Sequence, residues 1–235
     1  MKTVVMVPTY NEVKNIVELI NELLNYPVDI VVVDDNSPDG TSEKVKELMK
    51  SHKNIHIVLR TKNRGRGSAG KDGYQYCLDH GAEAVIEMDA DFSHDPKYIP
   101  QLIEGLKDAD VVLGSRMVRG GKEIGRSKFR QLITSCANFY IRLLLGLRVR
   151  DCNSGFRAFR RKMLEDINVG HLFSTGPDIV QEVLFKAHLK GARIKEVPIV
   201  FKERTKGESK LGFKHLWKGY VMILKLKYLH LKGDL

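Results

Sequence analysis

Five short apolar runs recur along the first half of this chain, at residues 3–7, 29–33, 55–59, 84–88 and 110–114, and segments of helical character separate them. Residues 12–24 set the pattern, with Val13, Ile16, Val17, Ile20, Leu23 and Leu24 on one side at helical spacing. Residues 41–49, 70–80 and 96–106 are read as further helices. Strict alternation of strand and helix constrains the fold to a mostly parallel α/β sheet with helices on both faces. Ligands of such sheets bind beyond the carboxyl ends of the strands. Two runs end there in acids, Asp34-Asp35 and Asp89-Ala90-Asp91, so both clusters are expected to face one crevice.

Asp89 and Asp91 are separated by one small residue and, read as the end of a strand, point the same way. Converging carboxylates repel unless a cation lies between them, and hard oxygen ligands suit Mg²⁺ or Mn²⁺. Such a cation is commonly completed by substrate phosphates, which points to a nucleotide site. Taken alone, the pair also fits a strand end with two solvated acids. A rival phosphate motif lies nearby: Gly65-Arg66-Gly67-Ser68-Ala69-Gly70-Lys71-Asp72 nearly spells a P-loop, GxxxxGK[ST]. Asp72, however, stands where that motif needs a metal-holding hydroxyl, and a P-loop NTPase leaves the N-terminal motif unexplained. A glycine-rich helix start with Arg66 and Lys71 can still bind an anion or simply make a tight turn.

The 235 residues suit one α/β domain. Beyond residue 114 the alternation breaks into a helix over 129–147, a loop and short strand over 151–160, and a helix over 177–190. An extended segment at 194–201, a polar loop at 202–212 and a last helix over 213–231 follow. In that helix Leu216, Trp217, Tyr220, Val221, Ile223, Leu224, Tyr228 and Leu231 mix with Lys214, Lys218, Lys225, Lys227 and Lys232. It reads either as a core helix with a wet face or as one lying in a bilayer interface. The breadth of the apolar surface favours the second reading.

Formal net charge is +10, and nine basic residues between Arg116 and Arg150 face the single acid Glu123. That segregation, interleaved with apolar residues, points to an anionic partner: nucleic acid, a phosphorylated substrate or a membrane surface. Cys77, Cys136 and Cys152 are scattered, which argues against a disulfide framework or a zinc site. The first apolar run is too short for a signal peptide, and no run approaches the roughly 18 residues of a membrane span. A soluble or peripheral protein is expected.

Val7-Pro8-Thr9-Tyr10-Asn11-Glu12, Val32-Val33-Asp34-Asp35-Asn36-Ser37-Pro38-Asp39-Gly40-Thr41 and Asp89-Ala90-Asp91 resemble the inverting glycosyltransferases of family 2, which have the GT-A fold. Met88 through His94, Gly114-Ser115-Arg116, residues 151–157 and Gly207-Glu208-Ser209-Lys210-Leu211-Gly212 are similar to the dolichol-phosphate mannose synthases of that family. The resemblance runs from Val4 to about Gly212. It implies a GT-A domain over 1–212, with a nucleotide-binding half at 1–115 and an acceptor-binding half at 116–212. Residues 213–235 then form a basic amphipathic helix that can contact a membrane interface.

The implied activity is inverting transfer of mannose from GDP-mannose to dolichyl or another polyprenyl phosphate, dependent on Mg²⁺ or Mn²⁺. By the same resemblance Pro8, Tyr10 and Glu12 line the guanosine pocket, and Val33 and Asp35 hold base and ribose. Asp89, Ala90 and Asp91 bind the diphosphate through the metal, with Ser93 as a further ligand. Arg116 lies at the sugar and acceptor phosphate, Arg130 meets the acceptor phosphate, and Arg204 and Lys210 close over the diphosphate. Asp89, Asp91, Arg116 and Arg130 are therefore the expected catalytic residues.

A lipid phosphate is already ionised near neutral pH, so no general base is required. For a hydroxyl acceptor, Asp89, Asp91 and Glu182 are the candidate bases. Part of the family carries transmembrane helices after the catalytic domain; here the last helix, or a small membrane-anchoring subunit, is expected to hold the enzyme at the cytoplasmic face of a membrane. The same chemistry with UDP-glucose is the near alternative. A basic nucleic-acid-binding protein is the distant one, and it lacks any recognition motif.

Overall fold

The strand Thr3–Thr9 (β1) is buried along its whole length, a condition met at the centre of a sheet covered on both sides. The computed structural model describes residues 1–203 and 213–235; Arg204 and Lys210 lie outside the described residues. After β1 come α1 (Val13–Leu23), β2 (Asp29–Asp34), α2 (Thr41–Met49), β3 (Ile55–Leu59), α3 (Arg66–Asp79) and β4 (Ala84–Glu87). A short 3₁₀ turn at Pro96–Tyr98 leads into α4 (Ile99–Gly105), followed by β5 (Val111–Ser115). The second half holds β6 (Lys122–Ile124), α5 (Lys128–Leu145), β7 (Arg157–Arg160), α6 (Arg161–Asp166), α7 (Ile179–Leu189), β8 (Ile194–Pro198), β9 (Val200–Lys202) and α8 (Phe213–Lys232).

Side-chain alternation divides the core in two. Val4 and Met6 of β1, with Val31 and Val33 of β2, face α3, α5, α6, α7 and α8. Val5, Val7, Ile30 and Val32 face the other way, against Ile16, Leu19, Ile20 and Leu23 of α1, Val45 of α2 and Leu102 of α4. Each such aliphatic side chain contributes roughly 1.5–3 kcal/mol of transfer free energy on full burial. The expected layers, a mostly parallel sheet with helices on both faces, are therefore present.

The strand order is β3-β2-β1-β4-β7-β5-β8, and β7 runs antiparallel to both neighbours while the other pairs are parallel. The short strand expected within 151–160 thus lies between β4 and β5, which do not touch. The extended segment over 194–201 divides at Ile199: β8 continues the main sheet, and β9 pairs with β6 in a separate parallel ribbon. Among the sequence signals, β6 had none, because its three residues face mostly outward.

The glycine-rich stretch is also resolved differently. Helix α3 begins at Arg66, four residues ahead of the expected start, and its glycines are packing positions. A Cβ on Gly67 would lie 2.5 Å from the Ser174 carbonyl oxygen and 2.7 Å from that of Gly176. The Gly67 N–H donates to the Thr175 oxygen at 3.0 Å, so this main-chain donor serves the fold and not a phosphate. A Cβ on Gly73 would collide with Met6 and lie 2.8 Å from Val33. The near-P-loop is where a helix lies unusually close to a loop and a sheet.

Gly67→Ala is therefore expected to destabilise the fold by about 1–3 kcal/mol, the usual cost of overpacking. Chemical denaturation compared with Gly81→Ala would check it. Gly81 has open space around its Cβ position and carries only the strain of its positive φ of 77°.

Candidate active site

The loops after β1 and β2 are knitted to each other. The main-chain N–H groups of Asn11, Glu12 and Val13 donate to Ser37 Oγ at 2.9 Å, Thr41 Oγ1 at 3.0 Å and Asp39 Oδ2 at 3.1 Å. Asn11 and Asn36 take left-handed φ values of 62° and 53°, which asparagine tolerates better than most residues. Asp34 is fully buried and accepts from Thr9 Oγ1 at 2.9 Å, Ser37 N–H at 2.8 Å and Ser37 Oγ at 2.6 Å. Its work is structural: it locks the ends of β1 and β2 together.

Of the expected donor residues, Pro8 and Val33 are buried neighbours in the β1–β2 register. Tyr10 stands exposed at the tip of β1, and Glu12 Oε2 accepts from Asn15 Nδ2 at 2.8 Å. Asp35 is buried, ion-paired with Arg60 through Nη1, and accepts the Gly65 N–H at 2.7 Å. Arg60 also reaches Asp72 at 2.7 Å and the Asn63 carbonyl at 2.8 Å. A cavity of about 410 Å³ opens beside this cluster, lined by Lys62, Ser68 and Lys71 among others.

β4 ends at Glu87, so Asp89, Ala90 and Asp91 lie in the loop beyond it and strand alternation no longer sets their directions. That loop turns at Phe92, with φ 58°. The Asp89 carboxylate is part-exposed; Arg66 Nη2 lies 3.3 Å from Oδ1 and His94 Nδ1 3.8 Å from Oδ2. The Asp89 N–H donates to His94 Nδ1 at 3.1 Å, and Asp91 Oδ1 accepts the Ser93 N–H at 3.1 Å. Ala90 is buried in the core on the α1 side, and Ser93 is buried. Burial pushes the His94 imidazole below its ordinary pKa against the pull of Asp89 and Asp91, and its ring stacks on Phe156. A neutral ring whose Nδ1 is already an acceptor serves as a wedge under the loop.

Arg116 follows β5 and is nearly buried. Its Nε lies 3.0 Å from Asp151 Oδ2 and 3.2 Å from Glu123 Oε1, and its guanidinium stacks over Phe201 at 4.8 Å. Arg126 shares Glu123 at 2.9 Å, and Arg130, in the first turn of α5, pairs with Glu203. The basic stretch is thus partly neutralised, by Glu123 within it and by Asp151 and Glu203 beyond its end. Glu182, a candidate base for a hydroxyl acceptor, is fully buried. Its oxygens accept the Phe173 and Ser174 N–H groups at 3.1 and 2.8 Å, so it does not face the crevice.

Parallel pairing of β2, β1 and β4 places Asp35, Tyr10 and Asp89 beyond the carboxyl ends of these strands. The antiparallel β7 starts at that same end, which carries Asp151 to Arg116 beyond β5. The Glycosyl transferase family 2 profile matches residues 4–168. The chain belongs to glycosyltransferase family 2.

Curated relatives of this glycosyltransferase include the undecaprenyl-phosphate mannosyltransferase of Micrococcus luteus, 37% identical over 90% of this chain and 88% of that protein. The polyprenol monophosphomannose synthase of Mycolicibacterium smegmatis is 36% identical over 90% of this chain and 81% of its own length. The dolichol-phosphate mannosyltransferase of Pyrococcus furiosus is 38% identical over 93% of this chain, which spans 61% of that longer protein. Among solved structures, a Pyrobaculum calidifontis mannosyltransferase in complex with GDP-Man and Mn²⁺ superposes with a TM-score of 0.64 at 21% identity, covering 99% of this chain and 64% of that one. Glucosyl-3-phosphoglycerate synthase of Mycobacterium tuberculosis, with Mn²⁺ and UDP, gives 0.66 at 18% identity, covering 97% and 79%. The fold is GT-A.

Beneath the crevice of the glycosyltransferase lies a group that sequence reasoning passed over. Glu87 is fully buried, contacts Arg157 Nε at 3.2 Å and Arg66 Nη2 at 2.7 Å, and accepts the Tyr74 hydroxyl. The sequence signal was available: an acid at a buried position of an apolar run requires buried cations. Arg60 and Asp151 were missed because their partners Asp35 and Arg116 are distant in sequence, and Arg66 was read as a possible anion-binding residue and not as a partner of Glu87 and Asp89.

Burial alone would raise the Glu87 pKa, but Arg157 and Arg66 outweigh it and hold the carboxyl at about 2, against an ordinary 4.5. A folded value below the unfolded one stabilises fully above about pH 4.5, and that contribution is lost as pH falls toward 2. Glu87→Gln should cost about 3–5 kcal/mol at neutral pH, the price of breaking a buried pair. It should also flatten the decline in unfolding free energy from about pH 5 to pH 3, measured by urea denaturation.

Proposed function

We propose that this glycosyltransferase moves mannose from GDP-mannose to dolichyl or another polyprenyl phosphate at the cytoplasmic face of a membrane, inverting the anomeric carbon and releasing GDP. The observation that carries this reading is the form of the acceptor side. Arg116, Arg126 and Arg130 cluster between the crevice and the N-terminus of α5, and an apolar stripe runs on from them along the same helix. Phe129, Leu132, Phe139 and Leu143 all face solvent, with Phe129 72% and Leu143 70% exposed. A charged head joined to a long hydrocarbon tail is the acceptor such a surface matches. The relatives whose names carry undecaprenyl, polyprenol and dolichol phosphate mannose chemistry support it.

On the donor side, residues 1–115 would hold the nucleotide, with Pro8, Tyr10, Glu12, Val33 and Asp35 around the guanosine. Among the described residues no three acidic, histidine or cysteine side chains converge as a self-sufficient metal site. Two carboxylates at the end of β4 still fit a hard divalent cation that keeps water and takes its remaining oxygens from a diphosphate. Asp89 and Asp91 would hold Mg²⁺ or Mn²⁺, with Ser93 as a further oxygen, and the bound ion would offset the charge of the departing nucleoside diphosphate. Arg204 and Lys210 are proposed as further donors to that diphosphate. Removing one such donor typically costs about 3–4 kcal/mol of barrier.

Residues 116–212 would hold the acceptor. Arg130 would exchange Glu203 for the lipid phosphate, and Arg116, fixed by Asp151 and Glu123, would present its remaining N–H groups to phosphate and sugar. The ionised phosphate attacks the anomeric carbon from the face opposite the diphosphate. It needs no base, and neither His94 nor Glu182 is placed to supply one.

Peripheral attachment follows from two adjacent helices. No helix among the described residues is long and apolar enough to cross a membrane. Val221, Leu224, Tyr228 and Leu231 of α8 are exposed, while Ile223 and Leu226 of the same helix are buried. Tyr140 of α5 packs edge-on against Tyr220 of α8 at 4.9 Å, so the two stripes belong to neighbouring helices. Lys218, Lys225, Lys227 and Lys232 accompany them, each worth about 1 kcal/mol against anionic lipid. A membrane-anchoring subunit would use the same face.

Transfer of labelled mannose from GDP-mannose to a polyprenyl phosphate tests the activity; no transfer with Mg²⁺ or Mn²⁺ present would reject it. Transfer from UDP-glucose and not from GDP-mannose would favour the second donor. Asp89→Asn and Asp91→Asn should abolish turnover. Arg130→Ala should raise the acceptor KM about 10- to 100-fold, as expected for a lost hydrogen bond to a charged group. Flotation with anionic vesicles should fall when Leu143→Asp and Leu224→Asp are combined, and unchanged flotation would remove the membrane surface from the proposal.

A further inference from the structure

Arg66 holds a position that the donor chemistry does not account for. It sits at the start of α3, pinned by Glu87 at 2.7 Å, and the same Nη2 lies 3.3 Å from Asp89 Oδ1. Its Nη1 is buried and has no hydrogen-bond partner among the described residues. Two guanidiniums, Arg157 and Arg66, stand against Glu87 and Asp89, with Asp91 two residues further along the loop, and burial and Glu87 keep the Tyr74 hydroxyl protonated. Glu87 has a second cation in Arg157, whereas among the described residues Arg66 is the one guanidinium within 4 Å of the Asp89 carboxylate. A divalent ion entering at Asp89 must therefore share that carboxylate with a fixed positive charge that is tied down from behind and cannot simply swing away.

We infer that Arg66 is a positioning residue that occupies the Asp89 carboxylate in the ligand-free enzyme and thereby makes metal binding conditional on the nucleotide diphosphate. Without a diphosphate, the guanidinium offsets Asp89 and repels the ion, and metal binds poorly. With a diphosphate present, its negative charge outweighs that repulsion, and ion and nucleotide bind as one unit. The coupling is reciprocal, so nucleotide also binds poorly without metal. The sequestration has a use: a preloaded cation beside an open crevice would attract phosphate compounds other than the donor.

The inference rests on Asp89 and Asp91 as metal ligands but not on which sugar or acceptor is used. Binding of Mn²⁺ alone is measured by the electron paramagnetic resonance signal of the free ion, with and without GDP, for wild type, Arg66→Gln and Arg66→Lys. Arg66→Gln should bind Mn²⁺ alone at least ~5-fold more tightly than wild type, and the factor by which GDP improves Mn²⁺ affinity should shrink correspondingly. Arg66→Lys, which keeps the charge, should resemble wild type. Equal or weaker binding of Mn²⁺ alone by Arg66→Gln overturns the inference, as does a gain that persists when Asp89→Asn is added. If Arg66→Gln does not fold, Arg66→Met, which keeps most of the side-chain volume and leaves Glu87 paired with Arg157, is read in the same way. A mannose-transfer failure with a positive Mn²⁺ result would reject the proposed function and leave the role of Arg66 standing.

Discussion

A single buried carboxylate organises the meeting of four elements. Glu87 ends β4, takes Arg157 from the antiparallel β7 and receives Arg66 and Tyr74 from α3; Arg157 passes on to the Val180 carbonyl in the first turn of α7 at 2.8 Å. Such a cluster adds little energy beyond what apolar side chains of equal volume would supply. Leaving any member unpaired in the interior is heavily penalised, however. Arrangements that slide β7 or rotate α3 strand a charge, and the fold is confined to the one in which the Asp89 loop rests on the first turn of α3.

The crevice built above that cluster is charged throughout, yet its ionic side chains have internal partners before any ligand arrives. Asp35 has Arg60, Asp89 has Arg66, Arg116 has Asp151 and Glu123, and Arg130 has Glu203. The groups are held at fixed positions without isolated charge. On the proposed reading, substrates would exchange one set of ion pairs for another, which limits the reorganisation required at the reacting centre.

What could be read from the chain follows from how each feature is encoded. Parallel strands covered on both faces appear as apolar runs, so β1 to β5 were legible, and acids closing such runs pointed to the crevice. The place of β7 was not legible. Its residues Arg157, Ala158, Phe159 and Arg160 carry two cations, and nothing local names Glu87 as the partner seventy residues away. Counting charge from 116 to 150 suggested a bare cationic surface because the count stopped one residue before Asp151. The glycines at the start of α3 read as a turn, since their real reason, the Ser174–Gly176 backbone passing overhead, is supplied by a segment a hundred residues further on. Likewise the helix over 129–147 was foreseen, but which of its sides stays uncovered depends on α8.

The insertion of β7 between β4 and β5 also has a bearing on how the molecule is made. During synthesis β1 to β4 can pair as soon as they emerge, leaving β4 as an open edge with Glu87 inside it and Arg157 still unmade. That edge stays unpaired until some seventy further residues have been added, and β5 waits beside it without its partner. An unpaired strand edge is a template for wrong pairing. A carboxylate on that edge, with Arg66 beside it and its second counter-ion still to come, discourages other chains from adding there. The carboxylate that organises the finished enzyme thus also guards its unfinished half.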